Sequence, residues 1–174
     1  MARLPPETHG DRIMRVAHAG EHGAVQIYRA QRIGARWRAP GLMAELAEFQ
    51  EHESGHRAIF AAELARRGRP RCRSYTLGAA GGWCLGLVTG LLGRGAIAVT
   101  TVAVERVVLR HLADYRRATA ENDPEAHAAL SRVIAEEQAH HDHFDAVPSG
   151  APARLLGAIV SGATEAVIRL GMRS

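Results

Sequence analysis

The sequence predicts an all-α protein, and three observations carry that prediction. Ala, Leu and Arg dominate the 174 residues, while Val and Ile are scattered and never gather into the alternating runs that strands require. Apolar residues recur at spacings of three, four and seven. Pro and Gly then divide the chain into six stretches of helical length. Four of these make a bundle, and two more, apolar or amphipathic, are expected to contact a membrane.

The first helix runs from about Asp11, read as its N-cap, to Trp37, where Pro40 and Gly41 break it. Ile13, Val16, Ala17, Ala24 and Tyr28 share one of its faces. The second spans about Leu42 to Arg67 and stops at Gly68 and Pro70. A fourth occupies about Ala96 to Ala120. The fifth opens on Asp123 as N-cap with Pro124 in the first helical position and ends before Pro148. The sixth, from about Pro152 to Leu170, is amphipathic.

The third stretch, residues 77–93, holds no charge and is rich in glycine, from Gly78 to Gly93. It is shorter than the roughly 20 residues of a bilayer span, and Glu105 follows too closely to leave an aqueous boundary. Two readings stand. One is a buried crossover helix joining two antiparallel pairs. The other is a helix lying on or dipping into a membrane, with Arg66, Arg67, Arg69, Arg71 and Arg73 ahead of it meeting anionic head groups. In both, residues 1–174 form a single domain, with 77–93 and 152–170 as its additional helices.

Composition bounds the function. With 47% hydrophobic and 23% charged residues the chain is an ordinary packed protein. Its net charge of +4 comes entirely from arginine, a compositional bias that says little about partners. Aromatic residues make up only 5%, too few for base stacking, so no nucleic acid is expected. Cys72 and Cys84 form no C-x-x-C pair, which suits a reduced compartment. Met1 to Asp11 has no apolar signal core. The expected location is peripheral, on the cytoplasmic face of the cell's inner membrane.

The chemistry lies in a repeat. Glu21 precedes Glu53 by 32 residues, and Glu105 precedes Glu137 by the same interval. Each later Glu opens a Glu-x-x-His unit, ending at His56 and His140. Residues three apart share a helix face, so each unit aims a carboxylate and an imidazole at one spot, and a Glu from a partner helix completes each half-site. That donor set is the one used by ferritin-like di-iron and di-manganese bundles, and oxygen plus imidazole suits iron or manganese. Glu105 supports this: it interrupts an apolar helix face, where a lone carboxylate is costly unless paired or metal-bound.

Other groups receive other readings. His52 to His56 also matches the H-E-x-x-H signature of zinc proteases, but Gly55 in mid-helix and the second unit at Glu137 speak against it. His18, His22, His141 and His143 are read as polar-face or supporting groups. His111, six residues after Glu105, is close enough along the helix to approach the site from its far side and is assigned a supporting role.

These segments resemble the demethoxyubiquinone hydroxylases of ubiquinone biosynthesis. The resemblance rests on Asp11-Arg12-Ile13, His18 to Ala24, Glu53 to His56 with Phe60, and Leu77-Gly78 through Gly93. It continues through Thr101 to Glu105, Glu136 to Asp142, and Ala151-Pro152-Ala153. It implies a di-iron, O2-dependent mono-oxygenase that hydroxylates the ring of a polyprenylated demethoxyubiquinol at a membrane surface. The family's iron ligands match Glu21, Glu53, His56, Glu105, Glu137 and His140. Electrons would come from NADH or from the quinol itself, and the resemblance implies a part for His111 in carrying them to the metals. A second copy of the chain or other ubiquinone-biosynthesis proteins are the expected partners. The sequence departs from the family pattern at Ala17, His22, Arg106 and Leu112. Two alternatives use the same ligands: a ferritin-like iron-binding or peroxide-detoxifying protein, and a di-iron hydroxylase of a modified tRNA base.

Overall fold

The computed structural model describes residues 5–145 and 151–173, the side chains of 139–145 excepted. Its helices are α1 (His9–Arg38), α2 (Met43–Arg66), α3 (Ser74–Leu92), α4 (Arg94–Thr119), α5 (Pro124–Asp145) and α6 (Ala151–Met172). A short 3-10 turn, Pro40–Leu42, lies between α1 and α2. No strand occurs among the described residues. The fold is the expected all-α bundle: α1 and α2 form one antiparallel pair and α4 and α5 the other, with α3 joining them and α6 returning across α4.

Local chemistry sets the helix ends. α1 begins three residues earlier than the sequence suggested, because Thr8 and not Asp11 is its N-cap. The Thr8 hydroxyl accepts from the Asp11 amide at 3.1 Å and the Asp11 carboxylate accepts from the Thr8 amide at 3.0 Å, a reciprocal capping box. Asp123 does cap α5, accepting from the Ala126 amide at 3.1 Å. Between α3 and α4 a single residue, Gly93, makes the turn at φ +92°, a conformation that side chains disfavour.

The arginine run has a different task from the one its position suggested. Arg67 donates to both oxygens of Asp123 at 2.7 Å, to Asp11 at 3.3 Å and to Glu63 at 3.2 Å. Arg69 donates to Asp11 at 2.9 Å and to the carbonyls of Pro5 and Pro6. Arg66 pairs with Glu63 at 2.9 Å. Arg67 and Arg69 clasp the start of α1, the end of α2 and the start of α5, so two of the five charges are spent inside the protein, while Arg66 pairs at the surface. Arg71 and Arg73 remain exposed.

Two apolar clusters fill the bundle. One joins Ile13 and Met14 of α1 to Phe60 and Leu64 of α2, Leu112 of α4 and Leu130 of α5. The other joins Tyr28 of α1 to Leu42, Leu46 and Phe49, and to Ile97 of α4. The layer between them is where the conspicuous carboxylates fall.

α3 connects the two pairs, as a crossover helix would, but it is not buried. Along its middle turns glycine brings its backbone against α1, while Tyr75 stacks on His18 and His22 and Thr89 accepts from Gln31 at 3.2 Å. A Cβ at Gly86 would lie 2.2 Å from the Ile27 carbonyl oxygen, and one at Gly82 2.5 Å from that of Gly23. Its other face exposes Leu77, Trp83, Val88, Leu91 and Leu92, and α6 exposes Leu155, Ile159 and Leu170. Both helices are long and apolar enough to cross a membrane by length and composition.

The glycine contact is testable. Gly86→Ala should destabilise by about 1–3 kcal/mol, since the clash is with backbone that cannot turn aside. Gly55→Ala, where nothing lies within 4 Å, should stabilise by about 0.5–1 kcal/mol through helix propensity. Thermal melts of the two variants beside the native protein would show opposite shifts; a stabilised Gly86→Ala would contradict the close approach.

Candidate metal centre

The central layer is built by helix periodicity. Glu53 and His56 lie one turn apart on α2 and both face inward, and Glu21 of α1, Glu105 of α4 and Glu137 of α5 meet them from the other helices. Exposure is 4% for Glu21, 2% for Glu105 and 1% for Glu53, His56 and Glu137. One side-chain donor atom from each of Glu21, Glu53, His56 and Glu137 falls within 4.8 Å of the others. His56 Nδ1 is 2.8 Å from Glu137, 3.7 Å from Glu21 and 3.9 Å from Glu53. Glu105 joins this group electrostatically and accepts from the Tyr28 hydroxyl at 3.3 Å. His140 belongs to α5, but its side chain lies outside the described residues, as do those of His141 and His143.

Several carboxylates in one dry layer cannot all ionise comfortably. Burial, and then the nearby Glu105 and Glu21, push Glu53 well above the usual carboxylate range. Burial and Glu137 do the same to Glu105, and burial with Glu53 raises Glu137. Burial alone would lower His56, yet its contacts with Glu137 and Glu21 override this and push it up to about 12. The metal-free layer therefore keeps protons on part of its carboxyls beside the single imidazolium.

A crowd of carboxyls that a bound cation would relieve of their protons is what a cation site requires. The donors are carboxylate oxygens with an imidazole nitrogen, a set that fits iron or manganese. His56 Nε2 is held by Glu136 at 2.9 Å, which fixes the ring and leaves Nδ1 facing the carboxylates, the support that ligating histidines commonly have. His52 is not part of the gathered group, so the zinc-protease pattern finds no geometric counterpart.

Several participants escaped the sequence reading. Tyr28 is seven residues beyond Glu21, a spacing that places both on one face and could have revealed it. Glu136 was hidden beside the more conspicuous Glu137. His22 stacks on Tyr75 at 4.0 Å and faces Arg57 at 3.2 Å. His18, expected on a polar face, is 4% exposed and stacks on Tyr75 from the other position, at 5.0 Å. His111 makes a 3.0 Å contact with Glu165 of α6, a partner 54 residues away.

The carboxylates open onto a cavity of about 250 Å3 bounded by α1, α3, α4 and α6. Its walls are apolar, with Ile27, Leu85, Val104, Val108, Val160 and Ile168 among them, and Glu21, Glu53, Glu105 and Glu137 reach its surface. The exposed apolar faces of α3 and α6 flank it. An acidic polar layer thus communicates with a greasy chamber sized for a small ring.

In metal-free protein the raised carboxyl pKa values make stability depend on pH in a set direction. A carboxyl whose folded pKa is raised contributes fully below its unfolded pKa, near 4.5, and loses that contribution as pH rises through the folded value. The melting temperature of metal-free protein should therefore fall from pH 5 to pH 8.5. Glu105→Gln should flatten the fall, and a native profile that rises over that window would contradict the crowding.

Comparison with known proteins agrees with this architecture. The family described as ubiquinone biosynthesis protein COQ7 matches residues 8–171. The chain is 35% identical over 170 residues to the mitochondrial NADPH-dependent 3-demethoxyubiquinone 3-hydroxylase of Mus musculus, covering 94% of this chain and 77% of that protein. It is 32% identical over 175 residues to the 3-demethoxyubiquinol 3-hydroxylase of Rhodospirillum rubrum, covering 98% and 81%. With the enzyme of that name from Paracidovorax citrulli it shares 33% over 147 residues.

Proposed function

The chain belongs to the COQ7 family of ubiquinone biosynthesis proteins, and from that membership we propose that it is a di-iron mono-oxygenase hydroxylating the ring of a polyprenylated demethoxyubiquinol. The observation that carries the reading is the junction of a buried carboxylate–imidazole layer with an apolar cavity. Glu21, Glu53, His56, Glu105 and Glu137, with His140, would hold two iron ions. Bound there, iron supplies the activation of O2 that no side chain can perform.

The protein's own residues bind, orient and exclude water. The apolar walls accept a ring and the start of its tail while keeping bulk solvent from the carboxylates. Tyr28 donates to Glu105 and Glu136 holds His56, so two donors are fixed in direction before any ion arrives. The name of the mouse relative specifies NADPH, where the sequence reading offered NADH or the quinol; we take a reduced nicotinamide as the electron source. The apolar chamber weighs against iron storage or peroxide removal, which need none, and against a polar tRNA base.

The site's membership is testable through metal content. Purified protein should bind about two irons per chain. Glu105→Ala or Glu137→Ala should lose at least one of them, and His56→Ala should lose metal where His52→Ala keeps it. Full iron occupancy in the double variant Glu105→Ala, Glu137→Ala would refute the ligand assignment. Supplying iron-loaded protein with demethoxyubiquinol, O2 and reductant, and looking for the ring-hydroxylated product by mass spectrometry, tests the reaction itself.

We further propose that α3 and α6 rest on the membrane through their exposed apolar faces. Each large side chain so buried contributes about 1.5–3 kcal/mol. Val88→Asp with Leu91→Asp should therefore abolish most liposome binding, at low and at high salt alike, and leave iron content unchanged. Native protein that fails to sediment with liposomes would sink this attachment.

A further inference from the structure

The charges on this molecule are sorted by side. α2 and α5 pack together on one side of α1 and α4, and α3 and α6 meet on the other. Exposed carboxylates collect on the first side: Glu48 and Glu51 on α2, Glu121 ahead of α5, and Glu125 and Glu136 on it. The second side is different. Residues 64–104 contain no Asp or Glu. Within 151–173 the single acid is Glu165, and Arg110, Arg169 and His111 already occupy it.

Cations on that side are left free. Arg38, Arg73, Arg94, Arg154 and Arg173 are all exposed, and none has an acidic partner among the described residues. They stand at the two ends of the apolar ridge that α3 and α6 make. Arg73 leads into α3, and Arg173 follows Gly171, where a Cβ would lie 3.0 Å from the Ser74 hydroxyl. Arg94 opens α4 after the Gly93 turn, where a Cβ would lie 3.6 Å from that of Arg38. Arg154 belongs to the same end, since a Cβ at Gly157 would lie 3.5 Å from the Val99 side chain near the start of α4. Between the two groups run the 19 residues of α3, about 28 Å of helix. Its exposed large side chains are apolar.

An apolar side with free cations at both ends and no free acid complements hydrocarbon bordered by anionic head groups. Crossing the bilayer is not open to this ridge. Gly82, Gly86 and Gly90 hold the α3 backbone against α1, so a crossing would carry the exposed Arg29 and Arg36 of α1 into hydrocarbon with it. A ridge lying flat keeps both its ends at head-group depth. Both tryptophans of the chain are here, Trp83 on the ridge and Trp37 beside Arg38, and both are exposed; the head-group level is where tryptophan collects.

Resting on the membrane attachment proposed above, we infer that the surface this ridge meets is an anionic phospholipid bilayer. α3 and α6 lie in the interface, and the arginines at both ends hold phosphates of one leaflet. The apolar face supplies depth, and the arginines select the lipid.

Sedimentation with liposomes and tryptophan fluorescence, on the full iron-loaded chain, test the selection. Vesicles of phosphatidylcholine alone are compared with vesicles that also contain phosphatidylglycerol. Native protein should bind the anionic vesicles more tightly at low salt, with a blue shift of its emission, and the preference should shrink as salt rises. Arg73→Gln with Arg94→Gln removes one cation from each end. This pair should weaken anionic binding about 25-fold at low salt, about fivefold for each arginine, and leave phosphatidylcholine binding and iron content unchanged. The control pair is Arg116→Gln, whose backbone carbonyl meets His127 of α5, with Arg132→Gln on α5 itself. It removes the same charge from the other side and should change neither affinity. Equal weakening by both pairs would show net charge acting alone and would overturn the assignment of the ridge ends. Equal affinity of native protein for the two vesicles would overturn the selection and leave the attachment standing, whereas binding to neither would sink both. Tighter binding to heparin than to anionic vesicles, lost in the Arg73, Arg94 pair, would give the arginines to a soluble acidic partner and overturn the bilayer.

Discussion

Everything in this bundle is arranged around a crowding of carboxyl groups in its middle layer. Glu21, Glu53, Glu105 and Glu137 are withdrawn from water together, and the described counter-charge beside them is a single imidazole. Removing one charged group from water costs several kcal/mol even after relaxation. The layer is therefore held against its own tendency to open, and the apolar clusters on either side do the holding. Phe60, Leu130 and Ile13 close it on one side, and Tyr28, Leu46 and Ile97 on the other. A cation entering the layer relieves the strain that those clusters contain.

Much of this was legible in the sequence. The gathering of Glu21, Glu53, His56 and Glu137 could be read because helix geometry turns spacing into direction: the two Glu-x-x-His units and the two equal intervals leading to them leave few other arrangements. His140 alone among the predicted ligands has a side chain outside the described residues. The helix ends were legible to within a few residues, and the error at Asp11 is instructive. An N-cap hydroxyl and a carboxylate three residues later satisfy the same set of free amides, so Thr8 and Asp11 compete for the same reading until the backbone is seen.

What the sequence concealed is what depends on distant partners. Arg67 and Arg69 looked like a membrane anchor because they stand beside an apolar stretch, yet Asp11 and Asp123 lie 56 or more residues from them. Glu165 had no local mark at all, since its meaning comes from His111 on another helix. The apolar stretch itself supported two readings, and each held part of the answer. It is the connection between the helix pairs, and it keeps an exposed greasy face.

The glycine contact between α1 and α3 has a consequence for how this protein can change. Because α3 approaches α1 by backbone at Gly82, Gly86 and Gly90, the large side chains on its outer face have no share in that contact. Substitutions on the outer face, at Val88, Leu91 or Leu92, alter what the surroundings meet without repacking α1, which carries Glu21 and Tyr28. Substitutions at Gly82, Gly86 or Gly90 do the reverse and displace the helix against the very segment that supplies those two groups. The outer surface can thus change to suit whatever it meets independently of the interior. A few hydrogen atoms, standing where methyl groups would be, keep those two histories apart.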